Sequence, residues 1–146
     1  MKQIEWIKVI RDMSPRVHCI TNYVTAGDVA NMVLAIGGSP IMAQGIREVE
    51  DVTSICQSLV LNMGTLEEER VEAMILAGKK AAGLGHPVIL DPVGVTASAF
   101  RRVSALRILK AVRTGGGTGS FRMYLTDYMS ILDDGMLERG KKIEIS

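Results

Sequence analysis

Short apolar runs alternate with longer stretches of helical periodicity through residues 1–112, and no other feature constrains the fold as strongly. The runs favour four strands whose starts are roughly 20 to 30 residues apart, the spacing of strand–helix–strand units. Each run is continuously apolar, which is typical of strands with both faces covered. We therefore predict an α/β fold with a parallel central sheet and right-handed crossovers. The predicted strands are 17–20, 39–43, 59–63 and 87–90.

Helical periodicity between these runs predicts five helices. The second is expected to end at Gly37 and Gly38, because glycine adopts the left-handed conformation of a C-terminal cap without strain. Its predicted inward stripe is Val29, Met32, Val33 and Ile36. The five predicted helices are 4–13, 25–36, 48–59, 65–84 and 98–112.

Two of these helices begin with the pattern of a capping box, a Ser or Thr followed three residues later by an acid. The pairs are Thr25 with Asp28 and Thr65 with Glu68. We expect each threonine hydroxyl to accept a hydrogen bond from a free backbone N–H group of the first turn. The acidic residues Glu67 and Glu68 also suit the positive end of the dipole of the helix predicted over 65–84.

The alternation breaks after residue 112. A glycine-rich run, 115–120, ends in Ser120 and is followed by a predicted helix over 121–132 and a charged tail. No fifth strand is predicted. We therefore divide the chain into 1–114, which carries the strand–helix pattern, and 115–146, which completes the same domain.

Composition excludes several classes of protein. The chain has 146 residues, 47% hydrophobic and 23% charged, with a net charge of +1, which suits one globular domain without a nucleic-acid partner. No run approaches the roughly 18 apolar residues of a membrane span, and charges interrupt the N-terminus where a signal peptide would be apolar. Cys19 and Cys56 have no metal or disulfide spacing, so we expect buried thiols in a reducing cytoplasm.

Polar residues or glycines follow every predicted strand. The carboxyl ends of parallel strands meet at one edge of a sheet, where ligands bind in open α/β folds. We therefore expect a common rim for a small polar ligand over an apolar floor. For any single strand end, ordinary turn chemistry explains such residues equally well. The residues at these four strand ends are Thr21, Asn22, Met42, Gln44, Gly45, Asn62, Gly64, Thr65, Asp91 and Gly94.

Four ordered motifs at these strand ends resemble those of hydroxyethylthiazole kinases. They are VHCITNYVT with DVAN at 17–31, AIGGSPIMA at 35–43, LNMGTL at 61–66 and VILDPVG at 88–94. The resemblance covers about a hundred residues and implies a three-layer ribokinase-like α/β fold with a mostly parallel sheet, here truncated. It also implies phosphorylation of the hydroxyl of 4-methyl-5-(2-hydroxyethyl)thiazole by ATP with Mg²⁺ in thiamine biosynthesis or salvage. The resemblance further implies a homotrimer with the thiazole site between neighbouring subunits.

The resemblance assigns roles to individual residues. Met42 matches the methionine that contacts the thiazole, and Asn22 matches an asparagine lining that pocket; Gly64 and Thr65 are expected at the same substrate site. Asp91 matches an aspartate near the magnesium and phosphate region. Physically, a thioether suits a heteroaromatic ring, and Mg²⁺ prefers carboxylates. Core packing for Met42 and a turn or helix cap for Asp91 are the alternative interpretations.

A family segment is missing after Arg113. Family members continue there with a strand, an Arg-Gly-Asn motif and a magnesium-binding glutamate, and later with a glycine-rich anion hole that ends in the catalytic cysteine. The sequence therefore assigns no catalytic residue to this chain and leaves its nucleotide-binding residues unknown.

The glycine run supports two interpretations. The stretch 119–122 resembles the start of the family's last helix, and 142–144 resembles its tail. Alternatively, 117–120 imitates the anion hole, with Ser120 at the cysteine position and backbone N–H groups cradling phosphate. We favour the first interpretation because the match extends through the tail.

Three hypotheses follow for the function. The first is a working thiazole kinase. The second is a non-catalytic thiazole-binding remnant that keeps Met42 and Asn22 but lacks the phosphate half. The third is an oligomer-forming module whose exposed sheet edge pairs with other chains.

Overall fold

The computed structural model describes residues 3–115, 123–125 and 144–145. The helices in these ranges are α1 Gln3–Met13, α2 Ala26–Ile36, α3 Val49–Ile55, α4 Glu68–Gly83 and α5 Ala99–Gly115. The strands are β1 Arg16–Ile20, β2 Ser39–Ile41, β3 Ser58–Asn62, β4 Val88–Asp91, β5 Met123–Leu125 and β6 Glu144–Ile145. No helix in the described part of the chain is long and apolar enough to cross a membrane.

The strands form one parallel sheet in the order β2-β1-β3-β4-β5-β6. From β2 to β5 the chain moves across the sheet in one direction, so right-handed crossovers bring α3, α4 and α5 to one face. The step from β1 to β2 runs the other way, which places α2 on the opposite face. The predicted α/β fold with a parallel core is confirmed.

The core lies between the sheet and the α3–α5 layer. Small residues of α4 allow α5 to approach closely: a Cβ on Gly78 would lie 2.7 Å from Cγ2 of Val112. The sheet contributes the alternate residues of each strand that point to this layer. Fully buried members include Ile20, Leu59, Leu61, Val71, Met74, Val88, Leu90 and Ile108.

The absence of a fifth strand was predicted, and this prediction is wrong. β5 pairs in parallel with β4, with Ile89 opposite Tyr124. The helix predicted over 121–132 is therefore wrong at 123–125, and its remaining positions lie outside the described residues. The apolar Met-Tyr-Leu run pairs with the open edge of β4, and such tertiary pairing overrides local helical preference.

Both predicted capping boxes are wrong, although Thr25 is the N-cap of α2. Its side chain forms no capping bond; its N–H and hydroxyl instead donate to Oδ1 of Asn22. Thr65 adopts a positive φ of 45°, and α4 begins only at Glu68. At Thr25, Oδ1 of Asn22 accepts the hydrogen bond from the backbone N–H that Asp28 would accept in a capping box.

The cap at Gly37 is confirmed, but the stripe predicted for α2 is not buried. Gly37 has a φ of 103°, and its N–H and that of Gly38 donate to carbonyls of the last turn. No residue of α2 is fully buried, and Met32 is 66% exposed. Periodicity identifies an apolar stripe, but whether another element covers it depends on the rest of the fold.

Candidate functional site

A chain of side-chain hydrogen bonds joins the carboxyl ends of three neighbouring strands. Nδ2 of Asn22, just after β1, donates to Oδ1 of Asn62, the last residue of β3, at 2.8 Å. Nδ2 of Asn62 in turn donates to Oδ2 of Asp91, the last residue of β4, at 3.0 Å. These three residues, which we call the rim, lie side by side because the strands are parallel and in register at Asn62 and Asp91.

Backbone groups fix the orientation of the rim amides. Oδ1 of Asn22 accepts hydrogen bonds from both the N–H and the hydroxyl of Thr25. Oδ1 of Asn62 also accepts one from the N–H of Gly64 at 2.9 Å. Both amides are thus oriented before any ligand arrives, which reduces the entropy that binding must overcome.

Gly64 is required by this arrangement for steric reasons. A Cβ at this position would lie 2.7 Å from Cβ of Asn22 and 2.9 Å from its amide nitrogen. Any side chain would therefore displace Asn22 from the rim. Gly64 thus admits Asn22 to the rim and, through its N–H, orients Asn62; its assignment to the substrate site stays a prediction.

Met42 and Thr65 lie at the same edge of the sheet but outside the hydrogen-bonded rim. Met42 follows β2, whose last residue, Ile41, pairs with His18 of β1. It is 37% exposed, so it is not a core residue. Thr65 is exposed in the turn after β3. The structure thus brings Asn22, Asn62, Gly64 and Asp91 into one group and leaves the other two beside it.

A cleft of about 160 Å³ opens beside the rim and contains residues that the sequence analysis missed. Arg70 on its wall is only 4% exposed; its Nη1 donates to the carbonyl of Thr65 at 2.6 Å. Its guanidinium lies 4.3 Å from the ring centre of Tyr23, a cation–π contact. The full lining is Tyr23, Gln44, Gly45, Glu67, Glu69 and Arg70.

One signal in the sequence pointed to Arg70. A cation in the first turn of a helix faces the positive end of the helix dipole, so it needs a local reason to be there. The carbonyl of Thr65, aimed by its positive φ, supplies that reason. No feature of the sequence pointed to Tyr23 in the same way, because its contact with Arg70 depends on how α4 packs over the loop after β1.

The described residues do not form a magnesium site by themselves. Asp91 is the one carboxylate of the rim, and one of its oxygens accepts the bond from Asn62. No group of three His, Cys, Asp or Glu residues that could hold a metal occurs in the described ranges. Mg²⁺ needs near-octahedral oxygen ligands, of which the rim would supply one side chain, Asp91.

The thiols are not activated nucleophiles. Both cysteines are buried and free. Burial, reinforced by the neighbouring Cys56 thiol, raises the pKa of Cys19 to about 11, and burial also raises the pKa of Cys56. Because the thiolate is the reactive form, both remain protonated near neutral pH. This agrees with the prediction of two buried thiols.

Comparison with known proteins identifies the family. The model of the HK: Hydroxyethylthiazole kinase family matches residues 7–119. The chain belongs to this family. A hydroxyethylthiazole kinase from Clostridium acetobutylicum is 55% identical over 109 residues, which cover 75% of this chain and 40% of that protein. One from Alkaliphilus oremlandii is 46% identical over 147 residues, covering 96% of this chain and 54% of the relative.

A solved structure agrees with the sequence relatives. The hydroxyethylthiazole kinase protein from Pyrococcus horikoshii OT3 superimposes with a TM-score of 0.77 at 35% identity, over 89% of this chain and 49% of that one. The ribokinase-like fold predicted from the motifs is therefore confirmed. The chain spans about half or less of the length of these three relatives. The glycine run beyond residue 115, Ser120 and the stretch 142–143 lie outside the described residues.

Proposed function

We propose that this chain binds 4-methyl-5-(2-hydroxyethyl)thiazole at the rim, as the substrate-binding part of a kinase that phosphorylates the hydroxyl of this alcohol with ATP. The observation that carries the proposal is the hydrogen-bonded series Asn22–Asn62–Asp91 at the carboxyl edge of the sheet. Open α/β sheets bind their ligands at this edge. The family relationship supplies the identity of the alcohol and of the phosphoryl donor.

The chemistry of the rim suits a small neutral ring with a hydroxyl arm. Amide groups donate and accept without net charge, and a carboxylate such as Asp91 is an acceptor for a hydroxyl proton. Met42 adds a polarizable apolar surface for the ring. In the cleft, the buried Arg70 has a carbonyl and an aromatic face as partners but, among the described residues, no carboxylate in an ion pair. A ligand acceptor atom there would gain a charge-assisted hydrogen bond.

The wider proposal follows the family. It includes ATP and Mg²⁺, a homotrimer and a cytoplasmic location. Because the described residues supply a single carboxylate, we derive no step through the metal. What this chain's own residues contribute is orientation: the amides hold the alcohol, and Asp91 holds its hydroxyl at the end of β4.

Calorimetry with the thiazole alcohol tests the proposal directly. We expect binding by the full chain and an affinity at least about tenfold weaker for Asn62→Leu, because that change removes both rim hydrogen bonds of the central amide. Asn31→Leu is the matched control, since Asn31 is exposed on α2 away from the rim. No heat of binding from the folded parent chain would refute the proposal.

A second pair of variants avoids the risk that Asn62→Leu fails to fold. Met42→Ala should weaken binding, whereas Met32→Ala should not, although both methionines are exposed. Equal affinities for the two variants would remove Met42 from the site.

A non-catalytic thiazole binder is the second candidate function. The missing family segment after Arg113 favours it, because phosphoryl transfer depends on groups that neutralise charge on the transferred phosphoryl. Thiazole phosphate formed with ATP and Mg²⁺ would establish the kinase. Binding of the alcohol without any product at high protein concentration would establish the binder.

A further inference from the structure

His18 connects three elements beneath the candidate site. It lies on β1, four residues before Asn22, and is completely buried. Its Nε2 lies 2.8 Å from the carbonyl oxygen of Ala43, in the loop after β2, and its Nδ1 lies 2.9 Å from the hydroxyl of Thr53 in α3. Both ring nitrogens are thus hydrogen-bonded, as a completely buried imidazole requires, and the two bonds tie β1 to the loop after β2 and to α3.

The chemistry of the partners assigns the proton. A backbone carbonyl can only accept, so Nε2 must donate to Ala43. Burial lowers the pKa of His18 and favours the neutral ring, in which Nδ1 is then the acceptor. The single hydroxyl hydrogen of Thr53 is within reach of two acceptors, Nδ1 at 2.9 Å and the carbonyl oxygen of Val49 at 2.7 Å. The neutral ring therefore carries its proton on the nitrogen that faces the loop.

The contact with Ala43 fixes a loop that serves the candidate site. Ala43 directly follows Met42, and the next two residues, Gln44 and Gly45, line the cleft. At the other end of this segment, the carbonyl of Gly45 accepts hydrogen bonds from the N–H groups of Glu48 and Val49. The loop is thus held at two points, by His18 from below and by the start of α3.

We propose that His18 is a positioning residue, which through the Nε2–Ala43 hydrogen bond holds Met42 and the cleft wall in place for the thiazole alcohol. The proposal rests on the proposed function for the identity of the ligand. It does not rest on it for the mechanical role, since the hydrogen bond orders the loop whether or not a ligand binds. The test therefore needs one readout with the alcohol and one without it.

Two substitutions of His18 by residues with neutral amide side chains distinguish this positioning role from simple packing. The amide nitrogen of Gln reaches as far as Nε2 of histidine, whereas that of Asn reaches only as far as Nδ1. His18→Gln should therefore keep the bond to Ala43, and His18→Asn should lose it. In the Asn variant we expect trypsin to cleave after the exposed Arg47 about tenfold faster, the effect of losing one buried hydrogen bond. The Gln variant should stay close to the parent chain.

Cleavage after the exposed Lys110 of α5 is the control for global unfolding. The thiazole affinity should fall about tenfold in the Asn variant and be largely retained in the Gln variant. Equal cleavage at Arg47 in the two variants, or cleavage that rises in parallel at Lys110, would refute the positioning role. If the loop responds as expected but no variant and no parent chain binds the alcohol, the proposed function fails and the positioning role stands.

Nuclear magnetic resonance of the ¹⁵N-labelled imidazole tests the same inference without any variant of His18. We expect signals of the Nε2–H form at neutral pH. In Thr53→Val the Nδ1 signal should shift while Nε2 keeps its proton and cleavage at Arg47 stays unchanged. A parent ring protonated on Nδ1 alone would overturn the proposal even if every substituted protein failed to fold.

Discussion

Two adjacent rows of residues cross the central sheet on opposite faces, and their surroundings differ. One row, Ile20, Leu61 and Leu90, faces α3, α4 and α5 and is completely buried, with 0% exposure for each residue. One residue back along the same strands, the other row faces the side of α2. There the exposure rises from 1% at β1 to 38% at β4, along Cys19, Val60 and Ile89.

The difference shows that one layer of this fold is complete and the other is not. α4 contributes eight buried residues and α2 contributes none. Helix α2 lies beside β2 and leaves the second face open toward β4. The relatives that this chain matches are about twice its length, so the same sheet has more chain available to cover it in those proteins. The predictions below test this contrast, from the largest expected effect to the smallest.

Alanine substitutions at two consecutive residues of β4 should show the largest difference in the free energy of unfolding. Leu90→Ala removes a completely buried side chain and should lower the free energy of unfolding by about 2 to 5 kcal/mol. Ile89→Ala removes a side chain that is already 38% exposed, so we expect a loss of roughly 1 kcal/mol or less. Urea unfolding of the two variants measures both. Equal losses would mean that another surface covers the second face in solution.

The closed end of the second face can be probed through Cys19. Its pKa of about 11 is two units above the ordinary 9.0, so its thiolate fraction near pH 8 is lower by a factor of roughly 100. In Cys56→Ser, where Cys19 is the one thiol, the contribution of Cys56 to this pKa is removed but burial, the larger cause, remains. Alkylation of the folded chain should therefore still be at least about tenfold slower than in urea. Comparable rates in both conditions would show that the sheet is open at β1 as well as at β4.

The same substitution in two helices should change stability in opposite directions. Gly78→Ala places a Cβ 2.7 Å from the stiff Val112 side chain, so we expect a loss of about 1 to 3 kcal/mol. Gly27→Ala in α2 meets nothing within 4 Å and should stabilise the protein by up to about 1 kcal/mol through helix propensity. Thermal unfolding of the two variants measures both the expected loss and the expected gain of stability. A destabilising Gly27→Ala would indicate a close contact on the second face that the isolated chain does not have.

The contrast between the faces also explains what the sequence could predict. Strands β1, β3 and β4 were predictable because their apolar runs and their spacing are local properties. The cap at Gly37 was predictable for the same reason, since its conformation requires glycine. Coverage of α2 and pairing of β5 were not predictable, because each depends on which distant element is available as a neighbour.

The candidate site divides in the same way. Parallel register alone places Asn22, Asn62 and Asp91 at one edge, so the rim could be anticipated from strand ends. The contact between Arg70 and Tyr23 could not, because it depends on the rotation of α4 about its axis. The failed capping box at Thr25 has a similar cause, since the competing acceptor, Asn22, is fixed by Asn62 of another strand.

The smallest predicted effect concerns pH and the buried side of β1. Burial lowers the folded pKa of His18 below 6.5, although the bond to Ala43 and the charge of Glu48 act in the opposite direction. Between the two pKa values the unfolded chain binds more protons than the folded one, so stability rises with pH there. The contribution of His18 is complete above about pH 6.5 and is lost as the pH falls through the folded pKa.

Urea unfolding between about pH 5 and 8 should therefore show a slope that His18→Gln reduces, because glutamine does not titrate. His86→Gln controls for a histidine that does not contact the loop after β2. Carboxylates that titrate in the same range contribute equally to all three proteins and cancel in the comparison. An unchanged slope in His18→Gln would mean that protonated His18 is accommodated as well as the neutral ring, and that the complete layer of the fold tolerates a buried charge.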